Sequence, residues 1–144
     1  MNEKVNSRVE TEDEVKTYLQ NLRYALESGA NVRFQMYRKV DDKRNTKYTN
    51  RFAVRMLFPN KNVMDALKNE LMSLTVANYM RTVKDLRFPE RSEMREFGKI
   101  YSDKGDVYIK IRVELLGQYG STTVFVMSFH LSDVRFESEM FPYA

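Results

Sequence analysis

The sequence predicts an α+β domain in which an antiparallel sheet of about four to five strands packs against two main helices. Three observations predict it. Val107 to Val113 and Val124 to Leu131 alternate apolar with polar or smaller residues, as half-buried strands do. Turn-forming stretches at Ser102-Asp103-Lys104-Gly105 and Gly117-Gln118-Tyr119-Gly120-Ser121 join the candidate strands by short connections, which favours an antiparallel meander. Upstream, two segments keep apolar residues at helical spacing.

Taken in order, residues 1–10 are expected to be a flexible N-terminus. Thr11-Glu12-Asp13-Glu14 matches a capping box and opens a helix over 12–28, with Val15, Tyr18, Leu19, Leu22 and Leu26 on one stripe and Gly29 at its end. Val32 to Arg38 and Asn50 to Phe58 read as strands joined by the charged segment 41–50, giving a basic β-hairpin over 31–58 that Pro59 stops. Asn60 or Asn62 can cap a second helical region, 61–80, with Val63, Ala66, Leu67 and Leu71 on the helical period and Thr75 restarting a short helical turn through Tyr79. Arg81 to Arg91 reads as a loop. Met94 to Tyr101, Asp106 to Leu115 and Thr123 to Leu131 complete the meander over 94–131, and 132–144 is a tail whose Phe141-Pro142-Tyr143 is apolar enough to dock on the domain, although fraying is the default expectation.

Composition narrows function. A chain of 144 residues with 42% hydrophobic and 31% charged content suits one domain with a real core. The absence of cysteine removes disulfides, thiolate nucleophiles and cysteine zinc sites, and a single histidine leaves no His-rich metal site. With no apolar signal region at Met1-Asn2-Glu3-Lys4 and no membrane-length apolar run, a cytoplasmic location is expected. The net charge is +4 and unevenly spread: eight basic residues between Arg33 and Arg55 face Asp41 and Asp42, a local +6, whereas residues 1–14 carry −3. Interleaved with Phe34, Tyr37, Tyr48 and Phe52, that basic stretch has the composition of a surface that tracks phosphates and stacks on bases. A solvated hairpin with a charged tip explains the same composition.

The chemistry gathers on the last two strands. Tyr108, Lys110 and Arg112 point opposite to Val107, Ile109, Ile111 and Val113. In the partner strand Phe125, Met127, Phe129 and Leu131 form one row, and Val124, Val126, Ser128 and His130 the other. If the larger apolar rows pack on the helices, His130 and Ser128 share a face with Tyr108, Lys110 and Arg112. RNA cleavage by a neighbouring 2′-OH requires a base, an acid and positive charge for the transition state. His130 suits acid–base work, and Lys110, Arg112 and Arg81 suit charge stabilisation. A hydrogen-bonded structural histidine is the competing reading of His130.

Leu74-Thr75-Val76-Ala77-Asn78-Tyr79, Phe97-Gly98-Lys99, Val107-Tyr108-Ile109-Lys110-Ile111 and Met127-Ser128-Phe129-His130 follow one another in an order and spacing that resembles the MqsR family. These are toxins of bacterial type II toxin–antitoxin systems with a RelE-like fold. The resemblance covers Val63 to Leu131 and is most specific in the last two strands. It implies an endoribonuclease of the mRNA interferase kind that uses neither metal nor cofactor. Its partners would be mRNA and a cognate antitoxin protein, with the ribosome allowed but not required, and no membrane. By position, Tyr108 and His130 resemble active-site residues, Arg81 a basic active-site position, and Glu96 a contributing polar residue. Lys110, Arg112, Lys99, Arg51 and Arg55 are the expected RNA-binding cations. The rival expectation is a non-catalytic RNA- or protein-binding inhibitor from a phage or mobile element with the same fold.

Overall fold

The computed structural model describes residues 5–116 and 121–144. Helix α1 (Glu12–Glu27) starts at its capping box: Glu14 N donates to Thr11 Oγ1 at 3.2 Å, and Thr11 N donates to the Glu14 carboxylate at 3.0 Å. Val15, Leu19, Leu22 and Leu26 are buried along one stripe, and Gly29, at φ +86°, turns the chain away. Burying each large aliphatic side chain contributes about 1.5–3 kcal/mol, against about 1 kcal/mol for a cap. Packing therefore holds the helix, and the cap sets where it begins.

Among the described residues the sheet has six strands in the order β1-β3-β4-β5-β6-β2, formed by β1 (Val5–Arg8), β2 (Asn31–Phe34), β3 (Tyr79–Asp85), β4 (Met94–Tyr101), β5 (Gly105–Leu116) and β6 (Ser121–Leu131). The predicted meander is present as β4, β5 and β6, and β3 extends it. Four expectations are corrected. Residues 5–8 of the N-terminus form a strand antiparallel to β3. The predicted loop from Arg81 begins inside β3, which also takes the last residues of the helical region 61–80; the rest of that region is α3 (Val63–Met72) and, as expected after Thr75, a short helical turn, here 3₁₀, at Val76–Asn78. The sheet is mixed, because β2 runs parallel to β6. The turn expected at 117–121 lies almost wholly outside the described residues.

The basic hairpin over 31–58 does not form. After β2 the chain makes two 3₁₀ turns, at Lys39–Lys43 and Thr46–Tyr48, and enters a third helix, α2 (Asn50–Leu57). Phe52, Val54, Met56 and Phe58 alternate as a strand would, but Ala53, Val54, Leu57 and Phe58 also fit one helical face, so a short apolar run satisfies both periods. Thr49 decides for the helix by accepting from Phe52 N at 3.3 Å. Helix α2 covers the part of β6 that β2 leaves unpaired. There Asn50, 1% exposed, donates to Gln35 O at 2.9 Å and Met127 O at 3.3 Å and accepts from Phe129 N at 3.0 Å. Asn50→Ala strands these buried backbone groups, and chemical denaturation is expected to show a loss of about 2–4 kcal/mol.

Helices and sheet enclose a core on one face that includes Leu67, Leu71, Phe97, Ile109, Ile111 and Phe129. The β5–β6 register shifts between Lys110 and Ile111, with Met127 as the extra residue: Lys110 opposes Ser128 and Ile111 opposes Val126. This bulge corrects the sequence assignment of Val124 and Val126, which are buried in the core, while Phe125 turns to the opposite face. His130 and Ser128, beyond the bulge, keep their place beside Tyr108 and Lys110.

Candidate active site on the open sheet face

Across the face opposite the core, the register aligns Arg81, Glu96, Lys110 and Ser128 in a row over four strands. The adjacent row is Gly98, Tyr108 and His130. The Tyr108 and His130 rings lie 5.5 Å apart at 44°. Arg81 Nε donates to Glu96 Oε1 at 2.9 Å, and the Glu96 carboxylate is buried while Arg81 remains half exposed. From the segment after β2, Arg38 Nη1 donates to Ser128 Oγ at 3.5 Å.

The electrostatics follow from crowding positive charge onto a partly buried surface. Burial lowers the Lys110 pKa, and Arg38 and Arg81 lower it further, against the pull of Glu96. Burial likewise lowers the Arg38 pKa, and Arg44 adds to the effect. Burial, with Arg44 and Arg38 nearby, lowers His130 below 6.5 even though its hydrogen bond to a carbonyl opposes the shift. Burial and the Glu96 carboxylate push the Tyr108 phenol well up, so it keeps its proton. His130 Nδ1 lies 3.0 Å from Leu131 O. A carbonyl only accepts, so Nδ1 carries the proton of the neutral ring and Nε2 offers the lone pair. The face thus holds a neutral imidazole, a protonated phenol and mutually repelling cations, an arrangement that an incoming anion stabilises.

The tail turns this face into a cleft. Phe136 N donates to Asp106 Oδ2 at 2.8 Å, and the Phe136 and Phe141 rings pack edge to face with centroids 5.4 Å apart. They lie against Gly98, where an added Cβ would come within 2.7 Å of Phe136 and 2.8 Å of Phe141. Tyr143 reaches Glu10 O at 2.6 Å and stacks on Tyr79, so the end of the described chain is packed rather than frayed. The resulting cavity of about 520 Å³ is lined by Arg81, Glu96, Tyr108 and His130 on the sheet side and by Val134, Phe136 and Met140 on the tail side. Of this wall the sequence marks Phe141, within the apolar Phe141-Pro142-Tyr143, as able to dock, and a glycine inside a strand pattern signals a close approach.

Four of the residues expected at a catalytic site, His130, Tyr108, Arg81 and Glu96, therefore line one cavity, with Lys110 in the adjoining row. The other expected cations are dispersed. Arg112 lies further along the same face of β5, with its guanidinium 4.4 Å from the Phe125 ring centroid. Lys99 is on the helix-covered face, bound to Ser73 Oγ at 2.7 Å. Arg51 and Arg55 are on α2 against Tyr37, and Arg51 also pairs with buried Asp41 at 3.5 Å. Arg38 and Arg44, unassigned in the sequence reading, reach the neighbourhood of His130 because the segment after β2 folds back instead of forming a hairpin. Comparison with family models, curated proteins and solved structures finds no match to this chain.

Proposed function

We propose that the chain is an mRNA-cleaving toxin of the MqsR kind, a metal-independent endoribonuclease of RelE-like build that acts in the cytoplasm and is held in check by a cognate antitoxin. The observation that carries this reading is the His130 imidazole set against the Tyr108 phenol in a cleft that also holds Arg81, Glu96 and Asp133. His130 Nε2 takes the proton of the ribose 2′-OH, and the 2′ oxygen attacks the adjacent phosphorus. Arg81, with Lys110 and Arg38 behind it, offsets the charge gathering on the phosphate oxygens. As the bond to the 5′ oxygen breaks, Tyr108 gives its proton to the departing alkoxide, a stronger base than a phenolate. The products are a 2′,3′-cyclic phosphate and a 5′-hydroxyl. The Glu96 carboxylate orients Arg81 through their 2.9 Å bond.

The pH profile tests the assigned base. Because the His130 pKa is lowered, its neutral form persists below the ordinary histidine range. Cleavage in EDTA is expected to be level through neutral pH and to fall, on the acid side, at a pH below 6.5. An acid limb centred above 6.5, or none at all, contradicts His130 as the base.

A further inference from the structure

The open face continues past the cleft. Arg112 follows Lys110 by two residues on the same side of β5, Phe125 lies opposite it on β6, and Arg33 lies opposite Phe125 on β2. The loop between β3 and β4 adds Arg91, whose guanidinium sits 3.9 Å from the Phe88 ring centroid. Together Arg33, Arg91, Arg112 and Phe125 line a groove of about 320 Å³. The acid in the neighbourhood is already engaged: Glu114 pairs with Arg112 at 3.1 Å and accepts from Ser92 N, which ties down the Arg91 loop. Among the described residues, neither Arg33 nor Arg91 has a carboxylate within ion-pair distance.

Two unpaired guanidiniums, together with the Arg112 guanidinium 4.4 Å from the Phe125 ring centroid, favour a ligand that alternates phosphates with planar bases. An acidic peptide satisfies the charge but leaves the aromatic ring unused. We propose that this groove is a second nucleotide-binding subsite, which holds the single-stranded RNA flanking the scissile bond. The inference rests on the proposed ribonuclease reading and adds to it a track of defined direction, from the Tyr108–His130 cleft along β5 towards β2. Arg33 and Arg91 bind phosphates, and the Arg112–Phe125 stack receives a base.

The test is the double charge reversal Arg33→Glu with Arg91→Glu, both at exposed positions, with thermal melting to verify folding. Binding of a labelled single-stranded RNA oligonucleotide long enough to span both sites is compared with cleavage of a dinucleotide that occupies the cleft alone. The variant is expected to bind the long RNA about tenfold or more weakly and to lose about 1.4 from its salt slope, which corresponds to two phosphate contacts. Dinucleotide cleavage is expected to be unchanged. Wild-type affinity and salt slope for long RNA in the folded variant overturn the subsite while leaving the cleft reading intact. A wild-type protein that neither binds nor cleaves either RNA overturns both.

Discussion

Replacing His130 with alanine is expected to lower RNA cleavage by about 10²- to 10⁴-fold in a protein that still folds. The side chain is half-buried, and its recorded hydrogen bond is to the carbonyl of its own neighbour, Leu131. Removing it therefore leaves no distant buried group unpaired. What is lost is the Nε2 lone pair beside Tyr108. Tyr108→Phe keeps the ring and its packing while deleting the proton donor, and a loss of about 10²-fold is expected. Single-turnover cleavage, with thermal melting of each variant, separates loss of chemistry from loss of structure. If His130→Ala cleaves at the wild-type rate, the assigned base is wrong.

The largest expected stability effect lies away from the cleft, at Glu10. Its carboxylate, 5% exposed, accepts from Arg95 Nε at 3.1 Å, Arg95 Nη2 at 3.0 Å and Thr82 Oγ1 at 2.7 Å. Its backbone N donates to Tyr79 OH at 3.0 Å, and its carbonyl accepts from Tyr143 OH at 2.6 Å. One residue thus joins the entry to α1, strands β3 and β4, and the tail. Glu10→Ala leaves the largely buried Arg95 cation uncompensated, and denaturant titration is expected to show a loss of about 3–5 kcal/mol.

The pH dependence of stability has the same origin. Burial alone raises the Glu10 pKa, but hydrogen bonds from Arg95 and Thr82 outweigh it, and the folded value falls below 4.5. The unfolded state then binds the proton more readily. The stabilisation is complete above 4.5 and is lost as pH falls through the lower folded value. Wild-type protein is expected to lose stability more steeply in that acid window than Glu10→Gln, whose side chain does not titrate. Equal acid slopes for the two proteins contradict this role for Glu10.

Sustained patterns were legible in the sequence, and short ones were not. Helix α1 and the β4–β6 meander carry a cap or turn residues at both ends and a long enough apolar period to exclude alternatives. Phe52 to Phe58 is short enough to satisfy strand and helix together, and Thr49 resolves it. Strand β3 was missed because its register shifts between Tyr79 and Arg81, which breaks the alternation that a strand pattern requires. The parallel pairing of β2 with β6 joins residues about ninety apart, beyond the reach of local periodicity.

The same distinction explains how the candidate site read. His130, Ser128, Tyr108 and Lys110 kept a common face because the bulge at Met127 lies on the far side of Ser128 from His130. Val124 and Val126, across that bulge, were placed on the wrong face. Arg38 and Arg44 come near His130 because their segment folds back after β2, a path that a hairpin pattern does not predict. The Phe136–Phe141 wall depends on a contact with Gly98 more than thirty residues away in the chain. In the tail itself the apolar Phe141-Pro142-Tyr143 marks a segment able to dock but not where it docks.

RNA cleavage by internal 2′-OH attack in the Tyr108–His130 cleft leaves a defined chemical signature. Its most direct measurement is the end-group chemistry of naked RNA incubated with purified protein in excess EDTA. The predicted result is fragments ending in 2′,3′-cyclic phosphate and starting with 5′-hydroxyl, absent with His130→Ala. Intact RNA that is nevertheless bound in a salt-sensitive manner rules out cleavage in the cleft and identifies the open sheet face as a binding surface without catalysis.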